Sequence, residues 1–190
     1  MPWLIAGLAV FLGIHSLRMV APSWRDARLS AMGEGPWKGI YSLVSLAGLL
    51  LLIWGYAVAR PEAGILYVPP VWTRHLAWLL MALSFIAMMV FNLPAGKLKP
   101  LLKHPMLLSV KLWAFAHLLV NGDLPSLVLF GGLLAWAILE MLVLNRVTPA
   151  PVTAHPVPIR KEGMAVVGAL VVFFAVGLIH SWLGYNPFGA

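Results

Sequence analysis

Residues 124–145 read LPSLVLFGGLLAWAILEMLVLN, and the only charge in the stretch is Glu140. As an α-helix it would be about 33 Å long at 1.5 Å per residue, against a bilayer hydrocarbon core of about 30 Å. The run is apolar around its whole circumference, so it suits lipid and not the edge of a soluble core. Five further apolar runs flank it, near residues 2–20, 37–59, 73–93, 105–120 and 163–184. The predicted fold is therefore all-α: one integral membrane bundle of about six transmembrane helices spanning residues 1–190. Between the runs stand Gly33, Gly35 and Pro36, then Pro61, Pro69 and Pro70, then Pro94, Gly96 and Pro100. Asn121 and Gly122 predict a tight turn, and Pro149, Pro151, Pro156 and Pro158 a stiff linker.

Composition points the same way. Hydrophobic residues make up 62% of the chain and charged ones 10%, with a mean hydropathy of +0.92; soluble domains have about 45–50% apolar and 25% charged residues. The net charge of +7 does not mark a nucleic-acid partner, because the basic residues sit at the ends of apolar runs and form no stripe. Without cysteine there is no disulfide, thiolate metal site or cysteine nucleophile. Met1 to Val20 lacks a positive n-region and reads as a retained helix, not a cleaved signal.

Orientation follows from the loops. The first, third and fifth carry Arg18, Arg25, Arg28, Lys38, Lys97, Lys99, Lys103, Arg146, Arg160 and Lys161, whereas the opposite side has only Arg60 and Arg74. The positive-inside rule then predicts both termini outside. Trp3, Trp72, Trp182 and Tyr185 would form the outer aromatic belt, and Trp24, Trp37 and Tyr41 the inner.

The costly residues inside the runs are His15, Arg18, Lys111, His117, Glu140 and His180, with His104 at a helix start. An ionisable side chain at mid-bilayer costs about 2.5–3.5 kcal/mol on insertion scales, so such residues tend to be paired or functional. Imidazole is a usual axial ligand of haem iron, which makes His15 and His117 candidates; the alternative is that each only hydrogen-bonds a neighbouring helix. Arg18, three residues after His15, is placed to meet a haem propionate or to snorkel to the headgroups. Ser109, Trp113 and His117 recur at i, i+4 and i+8, a face that would take either a ring edge or plain helix packing. His104 and His117 are about 140° apart on the helix, which disfavours two stacked haems; His104 before Pro105 reads as a helix entrance. His75 and His180 read as interfacial and His155 as linker. Lys111 and Glu140, on consecutive helices, are a candidate ion pair.

Three stretches carry a resemblance: GIHSLR at 13–18, GEGPWKGIYSLVSLAGL at 33–49, and KHPMLLSVKLWAFAHLLVNGDLPSLVLFGGLLAW at 103–136. They resemble the NnrU family of bacterial membrane proteins and, more distantly, 15-cis-zeta-carotene isomerase. The resemblance implies a bacterial inner-membrane protein linked to nitrite and nitric oxide reduction in denitrification. It also implies a b-type haem held by two histidines, which fall on His15 and His117; helical spacing would set Arg18 and Trp113 beside such a cofactor. The isomerase likeness implies haem-dependent cis-trans isomerisation of an apolar polyene. Electron transfer between quinol and a membrane redox partner is the competing expectation, and a non-catalytic assembly or transport factor the third. Topology puts His15 nearer the inner face and His117 nearer the outer. The depth-matched alternatives are therefore His15 with His104, and His117 with His180.

Overall fold

The computed structural model describes residues 1–93, 96–147 and 157–189. Pro94, Pro149, Pro151, His155 and Pro156 lie outside the described residues. Among the described ones the chain forms nine helices: α1 (Pro2–His15), α2 (Leu17–Val20), α3 (Pro22–Met32), α4 (Glu34–Ala59), α5 (Thr73–Asn92), α6 (Leu98–Leu102), α7 (Pro105–Leu118), α8 (Leu124–Val147) and α9 (Ile159–Trp182). Among the described residues the only β feature is an isolated bridge between Ile65 and Asp123.

Four helices, α4, α5, α8 and α9, are long and apolar enough to cross a membrane. The remaining two apolar runs come out shorter than the sequence suggests. The 2–20 run is interrupted at Ser16, leaving α1 at 14 residues, and α7 is also 14 residues. Each is about 21 Å long at 1.5 Å per residue. Two expected breakers are absorbed: Gly35 and Pro36 sit in the first turn of α4, where proline loses no hydrogen bond. Gly33 caps that helix with φ 82°, a left-handed conformation that glycine adopts without a Cβ clash. The first loop holds an unexpected helix, α3, started by Pro22 and with none of its residues buried.

The chain divides into two units: Met1–Val68 with Asn121–Leu144, and Pro69–Val120 with the described residues from Asn145 onward. In the first unit α1 and α4 run antiparallel with their backbones in contact. A Cβ on Gly7 would lie 2.5 Å from the Leu52 nitrogen, and one on Gly48 would lie 2.8 Å from the Phe11 nitrogen, while Gly55 faces Leu4. Glycine at these three points lets the helices approach as small residues do in membrane dimers. Helix α8 runs antiparallel to α4: Tyr56 meets Ser126 at 2.9 Å near one end, and its ring lies 6.2 Å from that of Phe130. Trp37 is buried beside Trp24, their rings 6.2 Å apart, so it does not face lipid.

In the second unit α5 packs against α7 and α9. The Ser84 hydroxyl donates to the Ser109 carbonyl at 2.9 Å, and the two hydroxyls are 3.1 Å apart. Ser109 is thus engaged in helix packing. Helix α9 runs antiparallel to α5, with Phe173 beside Phe85 and Phe188 beside Trp78. The Trp78 indole N–H donates to the Pro187 carbonyl at 2.8 Å, which ties down the C-terminal segment.

Candidate functional site

His15 ends α1; Ser16, still in the αR region with its N–H donated to the Leu12 carbonyl, separates it from the short α2. The Ser16 hydroxyl accepts the Trp136 indole N–H at 3.1 Å, so the break and the indole are held together. The imidazole of His15 is half-buried between rings from all three long elements of its unit: Phe11 at 4.2 Å, Tyr41 at 5.4 Å and Trp136 at 5.9 Å, edge-on. Its Nδ1–H donates to the Phe11 carbonyl at 2.6 Å. With that proton fixed on Nδ1, the lone pair that a metal takes is on Nε2.

His117 repeats the arrangement in the second unit. Its Nδ1–H donates to the Trp113 carbonyl at 2.8 Å, and the Trp113 ring lies 4.9 Å from the imidazole. His180 also bonds through Nδ1, to the Val176 carbonyl at 2.8 Å, but its side chain is exposed. His104 differs, because the bonded atom is Nε2, 3.2 Å from the Asn145 Oδ1; it precedes α7 with Pro105 at the first turn, as its sequence suggests. His75 is exposed at the start of α5, its ring 4.9 Å from Trp78.

Among the described residues no group of three or more His, Asp or Glu side chains could hold a metal ion. A haem iron takes imidazole nitrogens as ligands, and in each unit one histidine, His15 in the first and His117 in the second, has its Nδ1–H held by a backbone carbonyl, which leaves Nε2 as the ligating nitrogen. Arg18 lies beyond the helix break, exposed, and within Coulombic reach of Glu140. Lys111, the partner the sequence offers Glu140, belongs to the second unit.

A second polar cluster closes the opposite end of the first unit. Asp123 caps α8, accepting the Ser126 backbone N–H at 2.9 Å and the Ser126 hydroxyl at 2.8 Å. Arg60 donates to Asn121 Oδ1 at 2.9 Å and stands 3.6 Å from the Asp123 carboxylate. The Tyr67 hydroxyl donates to the Asn121 carbonyl at 2.9 Å; burial and the nearby Asp123 charge raise its pKa above the usual tyrosine value. Asn-Gly at 121–122 predicted a tight turn, but Gly122 serves a close approach: its carbonyl accepts the Leu66 amide at 2.7 Å, and a Cβ there would strike the Tyr67 carbonyl. Asp123 followed three residues later by Ser126 is a legible helix-start signal; Arg60, Tyr56 and Tyr67 carry none.

A model of the protein family described as NnrU protein matches residues 3–187. The chain belongs to the NnrU family. The NnrU match extends past the stretches at 13–136 into the C-terminal segment that packs against Trp78. No curated protein matches this NnrU chain, and no solved structure does.

Proposed function

We propose that this NnrU-family chain is an integral membrane b-type haem protein, and that His15 and His117 would hold the haem iron. The observation that carries the reading is the setting of His15: an imidazole enclosed by Phe11, Tyr41 and Trp136 and locked through Nδ1 onto its own helix. His117, locked in the same way beside Trp113, is the second ligand.

When bound, the haem would supply one-electron redox chemistry or Lewis acidity. The protein's own part is to hold each imidazole in a ligating tautomer and to keep water from the His15 ring with aromatic side chains. Arg18 offers a cation to a propionate. The setting is nitrite and nitric oxide metabolism in the bacterial inner membrane, with isomerase-like chemistry on a polyene as the activity implied by the more distant resemblance. Six crossings with both termini outside complete the proposal. Helix directions within each unit support the alternation, since α4 opposes α1 and α8 and α9 opposes α5.

The test is an absorption spectrum of protein purified in detergent from haem-supplied cells, oxidised and then reduced. A Soret band with sharp reduced-state bands of a six-coordinate b-type haem is expected. Purified, folded protein with no Soret band would overturn the proposal.

A further inference from the structure

Helix α3 has no part in the site described above. It is 11 residues long and none of them is buried, whereas an isolated helix shorter than about 12–15 residues is marginal in water. Some further surface must therefore cover it. Gly33 alone separates α3 from α4, which is long and apolar enough to cross a membrane. Ile40 on α4 is already an exposed apolar side chain, and it lies only about 9 Å along that helix from Glu34 at 1.5 Å per residue. The chain thus fixes α3 at the edge of the lipid.

Its side chains are sorted by face. At about 100° per residue, Trp24, Ala27, Arg28 and Ala31 share one arc of about 100°, and Ser23, Asp26 and Ser30 a separate arc of about 60°. Both sets are exposed, while Arg25 and Leu29, on the remaining side, are half-buried. Trp24 keeps 48% of its surface exposed, although its ring lies 6.2 Å from that of Trp37 on α4. The Arg28 guanidinium lies over the same Trp24 ring, 5.6 Å from its centroid. Neighbouring cations are taken up locally: Arg25 pairs with Asp26 at 2.6 Å, and Lys38 with Glu34 at 2.6 Å. Among the described residues Arg28 pairs with no carboxylate.

We propose that α3 is an interfacial helix, laid on the membrane surface with Trp24, Ala27 and Ala31 against lipid and Arg28 on the phosphate of an anionic phospholipid. An indole suits the headgroup boundary because it has an apolar body and one N–H donor. A guanidinium presents parallel N–H donors to phosphate oxygens. A zwitterionic headgroup offers the same phosphate but adds a cation that Arg28 repels, so the anionic lipid is preferred. Position favours lipid over a protein partner, since the join to α4 already sets α3 among the headgroups. The inference needs α4 to span the bilayer and is independent of haem.

The chain has no cysteine, so single cysteines can carry a nitroxide without background. Ser23→Cys, Ala27→Cys, Ser30→Cys and Ala31→Cys are made in the full chain and reconstituted in vesicles of phosphatidylcholine, with and without phosphatidylglycerol. Labels at 27 and 31 should collide with oxygen, which concentrates in lipid, and labels at 23 and 30 with a water-soluble nickel chelate. Adding phosphatidylglycerol should move the 27 and 31 labels deeper, and high salt should reduce that movement. By native mass spectrometry Arg28→Gln should bind phosphatidylglycerol about fivefold more weakly, the scale for one basic side chain at an anionic surface, with phosphatidylcholine binding unchanged. If Arg28→Gln does not fold, the lipid and salt dependence of the labels still decides the matter. Equal access of the nickel chelate to all four labels would overturn the proposal. So would labels at 27 and 31 shielded from both reagents, the sign of a protein partner or a second copy. Label depths indifferent to phosphatidylglycerol, or an Arg28→Gln that binds it as wild type does, would remove the anionic headgroup.

Discussion

Gly7→Ala should destabilise the protein, while the same change at Gly13, six residues along the same apolar run, should not. Carbon atoms pack best at about 3.5–4.0 Å, and a Cβ on Gly7 would lie 2.6 Å from the Leu52 Cα and 2.5 Å from its nitrogen. Neither is a flexible side-chain tip, so α1 must retreat from α4 by about 1 Å. That movement also opens the contacts of Gly48 with Phe11 and of Gly55 with Leu4. Overpacking of this kind costs about 1–3 kcal/mol, and alanine's better helix propensity returns about 1 kcal/mol, leaving a net loss of up to about 2 kcal/mol. At Gly13 and Gly39 a Cβ meets nothing within 4 Å, so only the propensity gain remains and stability should be unchanged or higher. Thermal unfolding of detergent-purified protein, followed by circular dichroism, measures all three. Equal melting temperatures for Gly7→Ala and Gly13→Ala would refute the close-packed α1–α4 seam.

Asp123→Ala removes the α8 cap and leaves Arg60 facing no carboxylate, so unfolding should become easier by about 1–3 kcal/mol; a melting temperature equal to wild type would show the cluster to be ornamental. The raised Tyr67 pKa means that the folded state favours the neutral phenol. Its contribution is whole below the unfolded value of about 10 and is lost as pH rises toward the folded value. Melting temperatures measured through that alkaline window should fall more steeply for wild type than for Tyr67→Phe, and parallel curves would rule the coupling out. Reporter fusions at Lys97 or Arg160 should read as cytoplasmic, and periplasmic activity from either would overturn the proposed orientation.

The four long helices were legible because their apolar runs continue without interruption past the bilayer thickness, and charges other than Glu140 collect at their ends. The shortening of α1 was not legible. Ser16 is tolerated in a helix, and it marks a break here alongside a tertiary bond from Trp136, a residue distant in sequence. Gly35 and Pro36 misled for a different reason, since a breaker in the first turn of a helix has no hydrogen bond to break. His15 and His117 could be picked out as imidazoles within apolar runs, but the cage around His15 could not, because Tyr41 and Trp136 come from other helices. Ser109 looked like part of a cofactor wall by spacing alone, and the partner that takes it up, Ser84, is on another helix. Helical arithmetic offered Lys111 as a candidate partner for Glu140, and it gave no hint of Arg18 within reach of the carboxyl.

If two imidazoles bind a haem, the reduced-minus-oxidised spectrum of His15→Ala, His117→Ala and the exposed His75→Ala beside wild type shows it most directly. Loss or a strong shift of the haem bands is expected in each ligand variant, with the wild-type spectrum kept in His75→Ala. Unchanged bands in both His15→Ala and His117→Ala, in folded protein, would contradict it.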